Sequence, residues 1–400
     1  MVTLAVLAGL SLYPAGLFPQ DAILVSYKRN FLRTDLAGKA GVLMDAAIDD
    51  RSSEFIGSLY AFALEFVLDG GEFLRDDPDM IALAGIAARG AGEAGHKPSA
   101  ETLWQIFALY QDSYSRVEIF RALAALGKGN AGMVEKLNRY LADQVGYYRS
   151  GMIPDYPTLR ACVAALASIG DDSTYPVLFS AILAAYPGSL DGEITEAMQT
   201  IEGDYLRFLM EIIRKNSPAE KLTAFRLGAG NPQFSPAERG ELAEAALEVS
   251  LDFVPGESGT GSPSDPGWAA ASSLRYESVI VLTELKWIKA NPLAIRNFYQ
   301  VQTDFGSAAA PRERLLEAVA CLGVMENSEA AQVLALQLGY INSQTERGGE
   351  FDEDLILALI RALGEIGDKV AFDYLLYIGY INYPERIQAA ARESLNRLKW

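Results

Sequence analysis

Residues Leu359–Lys369 have the sequence LIRALGEIGDK, in which a helical run of alanine and leucine ends in glycine and aspartate. Three other segments align with it: FRALAALGKGN (Phe120–Asn130), CVAALASIGDD (Cys162–Asp172) and EAVACLGVMEN (Glu317–Asn327). Their aligned leucines are 40, 156 and 41 residues apart, at Leu126, Leu166, Leu322 and Leu363. The long interval fits about four repeats, and weaker copies occupy it around Met198, Leu227 and Leu285. The sequence therefore predicts a tandem array with a period of about 40 residues.

Each repeat predicts a pair of helices joined by a short polar turn. In the last two repeats the pairs are residues 312–322 with 329–338, and 354–363 with 370–378. Glycine at the turn permits the left-handed residue that closes the first helix. A pair of this kind leaves one apolar face uncovered and needs a neighbour stacked on each side. The predicted fold is all-α, an α-solenoid of roughly nine stacked antiparallel helix pairs.

The tetrapeptide Gly-Tyr-Ile-Asn occurs twice, at residues 339–342 and 379–382. The copies are one repeat apart, which predicts that each lies at the C-terminal end of the second helix of its repeat. We expect Gly339 and Gly379 to end or loosen that helix, and Ile341 and Ile381 to enter the core between repeats.

Two segments carry a proline, then a basic residue, then spaced alanine and leucine: PRERLLEAVACL (Pro311–Leu322) and PERIQAAARESL (Pro384–Leu395). The shorter YPTLRACVAAL (Tyr156–Leu166) is similar, with Arg160 at the arginine position of the pattern. In these segments the chain resembles the HEAT-repeat family, closely over residues 311–400 and loosely over 28–400. The resemblance implies a HEAT-like solenoid, an architecture that serves both as protein-binding scaffold and as enzyme.

Two segments interrupt the array and suggest its domain organisation. Residues 254–268 are rich in proline, glycine and serine and predict a flexible loop between repeats 21–253 and repeats 269–400. A shorter polar loop is expected at residues 342–354.

Residues 1–20 begin with an uncharged apolar run, which fits a signal peptide that lacks basic residues or a first buried helix. The first interpretation predicts export to the periplasm, the second a cytoplasmic protein.

The formal net charge is −18 and the isoelectric point is about 4.6. Such a surface repels phosphate backbones and anionic lipids, which argues against nucleic-acid and peripheral membrane binding. No later apolar run is long enough for an integral membrane span. Most of the excess negative charge lies in residues 45–79 and 231–270, with net charges of −8 and −6. These stretches are either solvated outer faces or a docking surface for a basic protein partner.

No residue set predicts catalysis, a metal site or a cofactor. The glycine motifs GAGEAG (Gly90–Gly95) and GKGNAG (Gly127–Gly132) follow alanine-rich helical segments, whereas a dinucleotide motif must follow a strand. His96 is the only histidine, and the two cysteines, Cys162 and Cys321, lie in apolar helical runs that predict buried thiols. The acidic run DDPD (Asp76–Asp79) is typical of a helix N-cap.

Tyrosine and arginine cluster at corners of the repeats, where such residues often form binding hot spots. The candidate protein-binding residues are Tyr147, Tyr148, Arg149 and Tyr156 in a predicted loop, with Tyr340, Tyr380 and Tyr383 in later repeats. The alternative is that these rings cap the cores between repeats. The predicted function is a non-enzymatic protein-binding scaffold. Two alternatives remain, a self-associating structural subunit and a HEAT-like enzyme or small-molecule carrier with a concave-face pocket.

Overall fold

The computed structural model describes residues 19–48, 52–253 and 266–399. Over this part of the chain the backbone forms twenty α-helices and short 3₁₀ turns, without a strand. The all-α prediction is therefore confirmed for the described residues. The chain divides into two compact units, unit 1 before and unit 2 after the boundary between Gly203 and Asp204.

Unit 1 holds ten of the described helices, which form two rows. The even-numbered helices pack in succession, α2 on α4, α4 on α6, α6 on α8 and α8 on α10. In the other row α1 packs on α3, α3 on α5, and α7 on α9. The helices are α1 (Pro19–Arg33), α2 (Leu36–Ile48), α3 (Ser53–Leu74), α4 (Pro78–Glu93), α5 (Ser99–Leu109), α6 (Ser113–Leu126), α7 (Ala131–Arg149), α8 (Tyr156–Ile169), α9 (Tyr175–Ile182) and α10 (Leu190–Thr200).

Unit 2 repeats this arrangement with its own ten helices. Its even row runs through α12, α14, α16, α18 and α20, and its odd row through α11, α13, α15, α17 and α19. Packing of each helix on the next but one in the chain is consistent with a helical solenoid. The helices are α11 (Tyr205–Lys215), α12 (Pro218–Ala229), α13 (Pro236–Leu251), α14 (Pro266–Glu284), α15 (Asn291–Gly306), α16 (Arg312–Gly323), α17 (Ser328–Glu346), α18 (Glu353–Ile366), α19 (Phe372–Tyr377) and α20 (Glu385–Leu395).

The aligned leucines and the turns after them have the same structural role in all four copies. Each leucine is buried, with 2% of its surface exposed at Leu126 and none at the other three. Four or five residues later an asparagine or aspartate side chain accepts a hydrogen bond from a backbone N–H and starts the second helix or its leading 3₁₀ turn. These capping residues are Asn130, Asp171, Asn327 and Asp368.

Glycine performs two different tasks in these turns. Gly170 and Gly367 close α8 and α18 in the left-handed conformation, with φ of 74° and 70°, as expected. The glycine directly after the aligned leucine instead lets the next helix of the even row approach. A Cβ on Gly323 would lie 2.9 Å from the Cβ of Ala362.

The tetrapeptide expectation is wrong in its first copy. Gly339 lies inside α17, which continues to Glu346, so the predicted loop 342–354 begins only after that residue. The missing side chain at Gly339 instead leaves room for the ring of Tyr374, 2.7 Å from where a Cβ would stand. In the second copy Gly379 lies in the 3₁₀ turn Ile378–Tyr380, and Ile381 is buried as expected.

Several expectations concern residues that lie wholly or partly outside the described ones. Residues 1–18 of the apolar N-terminal segment and residues 254–265 of the Pro/Gly/Ser loop are outside them, and α14 already begins at Pro266. Within the described ranges no helix has both the length and the apolar character needed to cross a membrane. Cys162 and Cys321 are buried as predicted, and burial raises the pKa of the Cys321 thiol to about 11.

Candidate functional site

The structure places Tyr147, Tyr148 and Arg149 in the last turn of α7, not in the loop that the sequence suggested. Tyr147 is half exposed. The ring of Tyr148 lies 4.4 Å from the ring of Tyr186, and the Arg149 Nη2 donates to the Ser180 carbonyl oxygen at 3.1 Å. These contacts fix α7 against α9 and the segment between α9 and α10.

Tyr186, which the sequence did not single out, is the buried member of this cluster. Only 3% of its surface is exposed, and burial raises the pKa of its hydroxyl to about 12. Its backbone N–H donates to Asp191 Oδ1 at 3.1 Å. The spacing of 38 residues between Tyr148 and Tyr186, about one repeat, was the signal that could have linked the two rings.

The three later tyrosines have different environments in unit 2. Tyr340 on α17 and Tyr380 in its 3₁₀ turn are 62% and 78% exposed. Tyr383 is 3% exposed, and its hydroxyl bonds to Asn342 Oδ1 at 3.1 Å and to Thr345 Oγ1 at 3.0 Å. The ring of Tyr383 therefore belongs to the core, as the alternative interpretation expected, and offers no surface to a partner.

The largest feature near the predicted residues is a groove on the even row of unit 1, with a volume of about 860 Å³. It runs across α6 and α8 towards α10, and Tyr156 is the one predicted residue that lines it. Most of its surface is apolar and open to solvent along one side. The lining consists of Val117, Phe120, Arg121, Ala124, Tyr156, Pro157, Arg160, Ala161, Ala164, Ala165, Pro187 and Glu193.

The groove exists because α8 presents alanines where the adjoining helices present larger side chains. Ala164 is exposed to the groove. Beneath it Phe120 is fully buried and packs on Phe107 and Tyr140, with ring centroids 4.7 and 5.3 Å apart. An aromatic floor of this kind holds its shape when nothing is bound.

A buried carboxylate holds the arginines at one side of the groove. The Glu118 side chain is 3% exposed, and its two oxygens accept from Arg89 Nε at 2.9 Å and from Arg121 Nη1 at 2.5 Å. Burial alone would raise the pKa of Glu118, but the hydrogen bonds and charges of the two arginines outweigh it and lower that pKa. Glu118 is therefore ionised and paired through both oxygens, whereas Arg121 remains 66% exposed at the groove.

Arg160 forms the other charged side. Its Nη2 donates to Ser189 Oγ at 2.9 Å, and its Nε lies 3.4 Å from Glu193 Oε2. Ser189 Oγ in turn donates to Glu193 Oε1 at 2.9 Å. The HEAT-like pattern drew attention to Arg160, and the structure shows that it links α8 to the start of α10.

The turn before α8 presents an apolar tip beside the groove. Met152 and Ile153 are 51% and 87% exposed. The turn is held by bonds from the Met152 N–H and the Ser150 hydroxyl to the Tyr147 carbonyl oxygen, at 3.0 and 2.7 Å. Asp155 anchors the far end by accepting from Ser113 and Thr158. An ordered turn that exposes apolar side chains is typical of an interaction surface.

The acidic stretches contribute exposed carboxylates and helix caps. On α3, Asp69 and Glu72 are exposed beside Phe73, whose surface is 84% exposed. In the second stretch Glu238 forms a capping box with Ser235. In DDPD it is Asp77 that caps α4, accepting from the N–H groups of Asp79 and Met80. The described residues contain no group of three or more His, Cys, Asp or Glu side chains arranged to hold a metal ion.

The two glycine motifs lie in helical surroundings. GAGEAG overlaps the end of α4, and GKGNAG spans the turn between α6 and α7.

Comparison with known proteins gives no further guide, because no protein-family model and no curated protein matches this chain. The groove and its neighbouring turn are therefore the site from which a function can be argued.

Proposed function

We propose that the chain is an α-solenoid of HEAT-like helix pairs that works as a protein-binding scaffold. The observation that carries this proposal is the open apolar groove across α6, α8 and α10, beside the exposed tip of Met152 and Ile153. Support for the solenoid comes from the two rows of helices in each unit and from the four equivalent capped turns. In such arrays the surface formed by successive repeats is the usual binding surface.

The shape of the groove favours a segment of a protein over a small molecule. A small-molecule pocket encloses most of its ligand, within roughly 300–1,000 Å³. This groove has a comparable volume but is more open to solvent than an enclosed pocket. A peptide segment can lie along an open groove and bury apolar side chains on Val117, Ala161 and Ala164, while its backbone remains hydrated.

The other interpretations remain proposals with less support. A carrier or enzyme would need a more enclosed site and converging reactive groups, and a self-associating subunit would place the apolar tip of one copy on another. Export likewise stays a proposal. N-terminal sequencing of protein purified from its native cell would test it, because a mature start near Asp21 is expected for a cleaved signal peptide.

Filling the groove tests the proposed function. Ala164→Arg places a long charged side chain in the groove, and Ala142→Arg places the same side chain on the exposed surface of α7 as a control. Both changes introduce a good helix former at an exposed site and should leave stability nearly unchanged.

We expect purified wild-type protein and Ala142→Arg to bind the same stoichiometric partner, and Ala164→Arg to lose at least tenfold in affinity. The measurement is affinity capture from the native cell followed by titration of the purified partner. Equal binding by all three proteins would contradict a role for the groove. A bound metabolite instead of a protein would favour a carrier.

A further inference from the structure

We propose that the groove on α6, α8 and α10 recognises a protein segment that carries an apolar side chain next to a carboxylate. This inference rests on the proposed function and specifies the chemistry of its partner. It also differs from the expectation of a basic partner, which came from the overall charge of the chain.

The apolar requirement follows from the floor of the groove. The accessible lining here is Val117, Ala161 and Ala164, above the buried ring of Phe120, and none of these side chains forms hydrogen bonds. A polar side chain inserted here would lose its water without gaining a partner, which costs about 1–3 kcal/mol per group. A leucine, isoleucine, methionine or aromatic side chain would instead bury apolar surface on both sides.

The carboxylate requirement follows from the donors that remain on the two arginines. Arg121 uses one of its five N–H groups on Glu118. Arg160 uses Nη2 on Ser189 and Nε on Glu193. Both side chains line the groove and are 66% and 47% exposed, so N–H groups remain for an occupant, and guanidinium groups bind carboxylates in a bidentate way.

The two carboxylates that pair with the groove arginines are already engaged, so they do not cancel this preference. Glu118 is buried and gives both oxygens to Arg89 and Arg121. Glu193 accepts from Ser189 and pairs with Arg160. A basic side chain entering the groove would be repelled by Arg121 and Arg160 and would share Glu193 with Arg160, whereas an acidic one would pair with either arginine.

Fixed arginines are also more selective than mobile ones. The ion pairs of Arg121 and Arg160 hold their guanidiniums beside an apolar floor, so little side-chain freedom is lost when a carboxylate binds. The carboxylate of the partner must then reach Arg121 or Arg160 while its apolar side chain lies on the apolar floor of the same groove. We expect both within a few residues of each other.

The experiment selects random peptides of about twelve residues on the immobilised full-length protein. Selections run in parallel on wild type, Arg121→Gln, Arg160→Gln, Ala164→Arg and a control, Arg139→Gln. Arg139 forms an exposed pair with Glu135 on α7, outside the groove. Circular dichroism and urea denaturation verify that each variant is folded.

We expect enriched peptides with an aliphatic or aromatic residue close to Asp or Glu, bound by wild type and Arg139→Gln. A synthetic peptide of this sequence should bind about tenfold or more weakly to each groove arginine variant, and Ala164→Arg should abolish its binding. Replacing its acidic residue with an amide should remove the difference between wild type and the arginine variants.

The failures of the two proposals can be told apart. Peptides that Ala164→Arg blocks, but that are basic or lack a selected acidic residue, would overturn the carboxylate inference and leave the groove as a binding site. If no enriched peptide is sensitive to Ala164→Arg, the groove is not a peptide-binding site and both proposals fail.

Discussion

At the scale of single residues, Glu118 joins two neighbouring helices of unit 1 through one buried carboxylate. Its bonds to Arg89 on α4 and Arg121 on α6 are the reason its pKa is lowered in spite of burial. We predict that Glu118→Gln lowers the free energy of unfolding at pH 7 by about 1–3 kcal/mol, because charge-assisted hydrogen bonds become neutral ones.

The contribution of Glu118 to the free energy of unfolding should also depend on pH. Since the pKa of Glu118 is lower in the folded protein than its ordinary 4.5, its stabilising contribution is complete above about 4.5 and is lost as the pH falls through the lowered value. Urea denaturation of wild type and Glu118→Gln at pH 7, 5 and 3.5 should show a difference that shrinks with acidification. A difference independent of pH would mean that packing, and not the charge, stabilises this contact.

At the scale of helices, the glycine after the aligned leucine controls how closely successive even-row helices approach. In α16 the hypothetical Cβ of Gly323 would lie 2.9 Å from the Cβ and 3.1 Å from the Cα of Ala362 on α18. We predict that Gly323→Ala destabilises unit 2 by about 1–3 kcal/mol, because the opposing backbone cannot move aside without a shift of α18.

Gly306, at the end of α15, is a matched control because a Cβ there meets no atom within 4 Å. Gly306→Ala should be neutral or stabilising by up to about 1 kcal/mol, since alanine restricts the unfolded chain. Urea denaturation of the two variants measures the contrast. Equal effects would show that α16 and α18 do not depend on close contact at Gly323.

The sequence revealed these helices more reliably than it revealed what each glycine does. The period of the aligned leucines and the polar residues after them predicted helix, turn and cap, because those signals are local. The roles of Gly364 and Gly367 could not be separated, since both precede the same turn. Gly367 is left-handed, whereas Gly364 faces Ser394, a residue of the next repeat.

At the scale of the whole molecule, the sequence predicted helical content and repetition but not the groove on α6, α8 and α10. The period of alanine and leucine predicted α8 as a helix, but only the stacking of α6, α8 and α10 shows that Ala164 is exposed between larger neighbours. Tyr383 is the converse case. Its polar turn suggested an exposed side chain, but its hydroxyl is hydrogen-bonded to Asn342 and Thr345 in the core. Both outcomes depend on contacts between residues far apart in the sequence.

The boundary between the two compact units does not coincide with the Pro/Gly/Ser loop. The compact units meet at Gly203 and Asp204, whereas composition placed the division in the loop at residues 254–268. A cut in that loop would separate α14 from α12 and α13, on which it packs. It would uncover Leu242 and Leu274, which are at most 1% exposed.

We therefore expect fragments 19–203 and 204–400 each to show helical circular dichroism and a cooperative urea transition, because each retains both of its rows of helices. Fragments 19–253 and 266–400 should unfold less cooperatively, or aggregate, since both lose an apolar contact surface. If the second pair folds better than the first, the loop is the true boundary, and α11–α13 belong energetically to the preceding helices.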